Sequence, residues 1–146
     1  MTRTNGAWTF FYGSFMDLDV LKRADVVPRR FEVARLGGFD VEINPLANLV
    51  RSDRHCVYGI VAETSHEELG RLYSQGWVSS YLPVAVLVET LDGGWRTALC
   101  YVALQPATGP AAEDYVERVV RAAKAHGFPG WYVDRLKGFR GEATGR

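Results

Sequence analysis

Residues 81–104 constrain the fold more than any other segment. Tyr81-Leu-Pro-Val-Ala-Val-Leu-Val-Glu89 and Trp95-Arg-Thr-Ala-Leu-Cys-Tyr-Val-Ala-Leu104 are two apolar runs separated by Leu91-Asp92-Gly93-Gly94. Asp-Gly-Gly supplies residues at ease with positive φ, which is the signature of a tight hairpin, so the two runs are predicted to pair antiparallel. A chain that spends this much of itself on one hairpin needs further strands to cover the apolar faces.

Those strands are visible upstream. Trp8-Thr9-Phe10-Phe11-Tyr12 is a short apolar run halted by Gly13-Ser14, as expected of a buried strand entering a tight turn. Met16 to Arg23 holds one or two helical turns. From Phe31 to Ile43 apolar residues recur with period two, and Gly37-Gly38 interrupts them, which predicts a strand with a central bulge or turn. Asn44-Pro45 closes that strand, because proline has no amide hydrogen for a ladder. Leu46 to Val50 is expected to be extended, Arg51 to Arg54 to be a polar turn, and Cys56 to Ala62 to be another buried strand.

Helices flank these strands. Thr64-Ser65-His66-Glu67-Glu68 offers a capping box in either of two registers, Thr64 with Glu67 or Ser65 with Glu68, ahead of Leu69 and Leu72, so a helix is predicted from about residue 65 to 74. Thr108-Gly109-Pro110 opens another, whose apolar stripe is Tyr115, Val116, Val119, Val120 and Ala123, and Gly127 ends it before Pro129. A short helix near Trp131 to Leu136 and a polar tail follow. The strand connections are mostly too short for parallel crossovers, so the class is α+β with a mainly antiparallel or mixed sheet able to close into a barrel.

Composition limits the function. The 146 residues are 47% hydrophobic, which suits one compact domain over 1–146, and no repeat or linker divides them. Seventeen basic residues balance seventeen acidic ones. No global field draws the chain to nucleic acid or an anionic membrane, so the expected partner is a small molecule or a second copy of the chain, as in a homodimer. Arg29-Arg30, Arg135, Lys137 and Arg140 are too interrupted for a nucleic-acid patch and read as a solvated face. No run reaches the roughly 20 apolar residues of a membrane span, and Met1 to Asn5 has no secretory pattern, which predicts a cytoplasmic protein. Cys56 and Cys100 sit in strand-like surroundings without CxxC spacing, as buried free thiols do. His55, His66 and His126 are scattered, so neither a metal site nor a cofactor is expected.

Tyr12-Gly13-Ser14-Phe15-Met16 is the best candidate site. A strand running into a Gly-Ser turn aims backbone amides one way, where they can receive an anion, although the same sequence also makes an ordinary turn. Asn48 either meets a ligand or caps a turn, and Trp77 belongs either to a cavity mouth or to the core.

Phe10-Phe11-Tyr12-Gly13-Ser14-Phe15-Met16-Asp17 resembles the N-terminal signature of the γ-glutamylcyclotransferase-like (AIG2-like) family. Ala34 to Phe39, Val57-Tyr58-Gly59-Ile60-Val61, the helix with Leu69 and Leu72, and Tyr81 leading into Val84 to Val88 resemble later family segments in order, over roughly residues 8 to 105. The resemblance implies a small α+β barrel that cleaves a γ-glutamyl amide, whether peptide, amine or acylated metabolite, and releases 5-oxoproline. The Tyr12 to Met16 loop would hold the α-carboxylate and amine, with Gln75 and Tyr81 also at the substrate. No cofactor is implied. An α-amine attacks the γ-carbonyl while a glutamate shuttles the proton, because an ammonium must lose a proton to become a nucleophile.

The chain departs from that pattern where the glutamate belongs. Six residues before Tyr81 stands Gln75 and seven before stands Ser74, neither of which is a base at neutral pH. Glu42, an acid in an otherwise apolar strand, is the replacement to be tested as catalytic residue, facing either the barrel interior or solvent; Glu63 and Glu89 end strands and read as surface residues. Related chemistry through hydroxyls of Tyr12, Tyr73 or Tyr81 is a second route. The alternatives to an enzyme are a catalytically silent small-molecule-binding protein on the same fold, or a domain in which Tyr-Gly-Ser is only a turn.

Overall fold

The computed structural model describes residues 6–103 and 113–139. Five strands, β1 (Gly6–Phe11), β2 (Phe31–Ile43), β3 (Ala47–Ser65), β4 (Tyr81–Thr90) and β5 (Trp95–Ala103), close into a barrel in the order β1-β3-β2-β4-β5. Every pairing is antiparallel except the last, in which Thr9 of β1 lies parallel to Leu99 of β5 and shuts the barrel. The barrel is therefore mixed, as the short connections and one longer return path allow. Among the described residues four helices flank it: α1 (Leu18–Arg23), α2 (His66–Tyr73), α3 (Glu113–Ala125) and α4 (Gly130–Lys137).

Local chemistry accounts for the elements. In the β4–β5 hairpin Gly93 takes φ +87°, and Asp92 Oδ1 accepts from the Gly94 amide at 3.0 Å. Of the two capping registers ahead of α2, the Ser65 one forms: Ser65 Oγ accepts from Glu68 N at 3.0 Å, and Glu68 Oε1 accepts from Ser65 N at 2.9 Å. Thr64 is unavailable for capping because it is buried, its hydroxyl 3.4 Å from that of Thr9. Gly127 ends α3 with φ +78°. The expected opening of that helix at Thr108-Gly109-Pro110, the end of the hairpin strand at Leu104, and the polar tail with Arg140 lie outside the described residues.

One expectation is corrected. Arg51 to Arg54 is not a turn; it continues β3, whose ladder with β2 shifts register between Gly37 and Phe39, so that Gly37 faces Cys56 while Phe39 faces Arg51. The predicted bulge at Gly37-Gly38, with Gly38 at φ +86°, absorbs the extra residues, and the polar segment is the outward side of that bulge. Polarity alone reads the same in a turn and in a solvated bulge.

Both faces of the barrel wall are buried: Phe10, Phe11, Val57, Ile60, Val61, Val88 and Cys100 are at most 2% exposed, although neighbours such as Phe10 and Phe11 point to opposite faces. Gly59 is needed there, since a Cβ on it would stand 2.2 Å from the Phe11 carbonyl oxygen of the neighbouring strand. Gly59→Ala is accordingly expected to lower unfolding free energy by about 1–3 kcal/mol in a urea titration. Gly70→Ala, where a Cβ on α2 meets nothing within 4 Å, should instead raise it by up to about 1 kcal/mol through helix propensity.

Candidate functional site

A cleft of about 370 Å³, part of it open to solvent, lies at the end of β1. Its floor is the Tyr12 to Phe15 segment. β1 ends in the buried Phe10 and Phe11, the chain turns at Gly13, and Ser14–Met16 forms one 3-10 turn closed by Met16 N donating to Gly13 O at 3.0 Å. Asp17 then caps α1, accepting from Asp19 N at 2.9 Å. Gly13 has no room for a side chain: a Cβ would lie 2.9 Å from both Ala47 Cβ and the Tyr115 hydroxyl.

Tyrosines form the walls. Tyr73 and Tyr101 stack face to face, centroids 3.7 Å apart and planes 6° from parallel. Phe15 meets Tyr73 and Trp77 edge-on at 5.5 and 5.4 Å, and Trp77, 43% exposed, stands at the mouth. Tyr12 Oη donates to Tyr101 O at 2.8 Å. Two more tyrosines hold the backbone of one residue: Ala47 N donates to Tyr115 Oη at 3.1 Å, and Tyr81 Oη donates to Ala47 O at 2.6 Å.

Burial controls the electrostatics. Desolvation raises the Tyr12 and Tyr73 hydroxyls well above the ordinary tyrosine range, with the nearby Cys100 and other tyrosines adding to it. Tyr81, Tyr101 and Tyr115 are raised by the same desolvation, partly offset at Tyr115 by hydrogen bonds at Ala47 and Ser14. Behind them the buried Cys100 thiol is pushed up to about 12 by burial. At neutral pH all of these groups are uncharged. None of the described residues lining the cleft is Asp, Glu, Lys, Arg or His.

The structure brings together Tyr12, Gly13, Ser14, Phe15, Tyr73, Trp77 and Tyr81 of the residues raised from sequence, and adds Tyr101 and Tyr115. Met16 is not at the cleft: it is fully buried, and His126 Nε2 donates to its carbonyl at 2.8 Å. Gln75 lies outside the lining too, its amide donating to Leu72 O at 2.9 Å to finish α2. Glu42 does not enter the cleft. On β2 Val41 and Ile43 share one face, 2% and 4% exposed, and the half-buried Glu42 lies on the other, across from the buried Asn48. Glu63 and Glu89 pair with Arg30 and Arg35 on the outside. Asn48 caps no turn; its side chain bonds both the amide and the carbonyl of Ala103, at 3.0 Å each, tying β3 to β5. The role of Tyr115 was hidden in sequence, where it reads as one member of an apolar helical stripe.

A small closed barrel with a cleft at the Tyr-Gly-Ser turn is the class that fold and site define. Residues 56–136 match the AIG2-like family, and the chain belongs to it. Two solved structures share the fold closely, each at 24% identity and covering 92% of this chain and 88% of theirs: a gamma-glutamyl cyclotransferase, with TM-score 0.81, and an uncharacterised protein from Homo sapiens, with TM-score 0.79. An AIG2-like protein from Mus musculus superposes with TM-score 0.58 at 19% identity, over 70% of this chain and 80% of its own. No curated protein sequence matches the chain. No helix among the described residues is long and apolar enough to cross a membrane.

The grip on Ala47 is testable. Tyr115→Phe leaves the buried Ala47 amide without an acceptor and is expected to cost about 1–3 kcal/mol of stability. Amide hydrogen exchange should show Ala47 losing protection in that variant.

Proposed function

We propose that this AIG2-like chain binds, without cyclising it, a small compound bearing a γ-glutamyl or similar acyl-amide group in the tyrosine-walled cleft. The observation that carries the reading is the absence of any carboxylate, Glu42 included, from the described lining. Cyclisation by proton shuttling needs a base whose pKa lies near the working pH. Tyrosines raised by burial are the wrong replacement, because their phenolate fraction at neutral pH is negligible. They are good at something else, which is offering neutral hydroxyls and flat apolar walls to an uncharged amide.

Turnover to 5-oxoproline is the second reading, favoured by the structural likeness to a protein described as a gamma-glutamyl cyclotransferase. One experiment separates them. The protein is titrated calorimetrically with γ-glutamyl dipeptides, γ-glutamylamines and their acylated forms, and the same mixtures are assayed for 5-oxoproline by mass spectrometry. Saturable binding without 5-oxoproline is expected. Release that scales with protein concentration would replace the binding reading with the enzymatic one. Trp77→Ala, at the exposed mouth, should weaken binding by about tenfold while leaving the thermal midpoint nearly unchanged.

A further inference from the structure

Trp77 stands partly in water at the mouth of the cleft, yet the backbone beneath it is anchored. It lies in the single 3-10 turn Gly76–Val78, where Val78 N donates to Gln75 O at 3.0 Å and the Val78 side chain is buried. Its ring meets Phe15 of the cleft floor edge-on. One exposed apolar side chain means little, whereas a contiguous apolar surface with polar residues at its edge marks a place where something binds. Trp77 belongs to such a surface.

Beside the cleft lies a second depression of about 370 Å³, also part open to solvent. Leu46, Trp77 and Tyr81 line both hollows, so the two meet at a shared ridge. Pro45 extends the apolar surface on the side of the second depression, where Pro45 and Leu46 are both half-buried, and the exposed Asn44 and Ser80 stand with them. The ligand proposed above is an amide. With its acyl part in the cleft, the substituent on the amide nitrogen has to be placed somewhere, and the ridge leads from the cleft onto this apolar surface.

We propose that the second depression takes that substituent, and that it is a ring-bearing apolar amine, an arylamine or arylalkylamine, lying against Trp77, Leu46 and Pro45. The proposal rests on the cleft being the binding site described above. A ring suits the place because it covers much apolar surface while giving up little conformational freedom. Trp77 thereby has two neighbours of different kind, the Phe15 floor on the acyl side and the amine's ring on the other.

The test is isothermal titration of the whole chain, at low ionic strength, with γ-glutamylanilide, γ-glutamylethylamide and γ-glutamylglycine. All three carry the same γ-glutamyl part, so the contribution of its charged groups cancels in the comparison. The anilide is expected to bind at least about tenfold more tightly than either of the others. Ser80, which is exposed and lines only the second depression, supplies the second arm. Ser80→Arg should tighten γ-glutamylglycine by about threefold and Ser80→Glu should weaken it by about as much, through the glycine carboxylate, with the anilide and the thermal midpoint nearly unchanged in both. Equal affinity for the three probes, or γ-glutamylglycine binding that ignores the charge at position 80, overturns this proposal and leaves the binding reading standing. Binding by none of the three overturns both.

Discussion

The backbone of one residue, Ala47, organises the end of the barrel where the cleft lies. Its amide donates to Tyr115 of α3 and its carbonyl accepts from Tyr81 of β4, while the next residue, Asn48, fastens to the Ala103 backbone at the end of β5. Three elements distant in sequence thus converge on the first two residues of β3. Each bond satisfies a backbone group that burial would otherwise strand, at a cost of about 1–3 kcal/mol for every unmet partner. The Tyr115 hydroxyl also presses against Gly13, so the same contact that anchors β3 sets the course of the Tyr-Gly-Ser turn. These contacts tie β3, β4, β5 and α3 together at the rim of the cleft.

That construction also explains why the site is neutral. Tyrosine reaches across a narrow barrel end, bonds a backbone carbonyl with its tip, and buries a large apolar ring on the way. Doing so desolvates the hydroxyl and moves its titration far above neutral pH. A glutamate placed among such rings would face the same desolvation and lose its charge more readily than in water. Rigid walls made of tyrosine and a charged acid in the middle of them are therefore hard to combine without a charged partner, and none stands among the described lining residues.

Much of the fold was legible in sequence because its signals are local. The Asp92-Gly93-Gly94 hairpin, the capping box before α2, the Gly37-Gly38 bulge and the Gly127 stop each depend on a few adjacent residues, and each formed. Gly59 was legible only as a glycine in a strand: what requires it is the Phe11 carbonyl of the neighbouring strand, 48 positions earlier in the chain. Arg51 to Arg54 misled for a related reason, since a solvated bulge and a turn share their polarity and only the partner strand tells them apart.

The site divides along the same line. Tyr12 to Phe15 and Tyr81 could be named from a contiguous motif and its resemblance, and the lack of an acid near Gln75 could be counted. Glu42 could not be decided, because facing the interior or the exterior depends on register, and one step of the pleat reverses it. Tyr73, Tyr101 and Tyr115 come from α2, β5 and α3, and nothing local marks them as members of one wall. Their shared neutrality is further still from the sequence, since a tyrosine's pKa belongs to its burial rather than to its type. A residue missing from a motif is visible in one dimension, whereas the environment that makes its absence workable exists only in three.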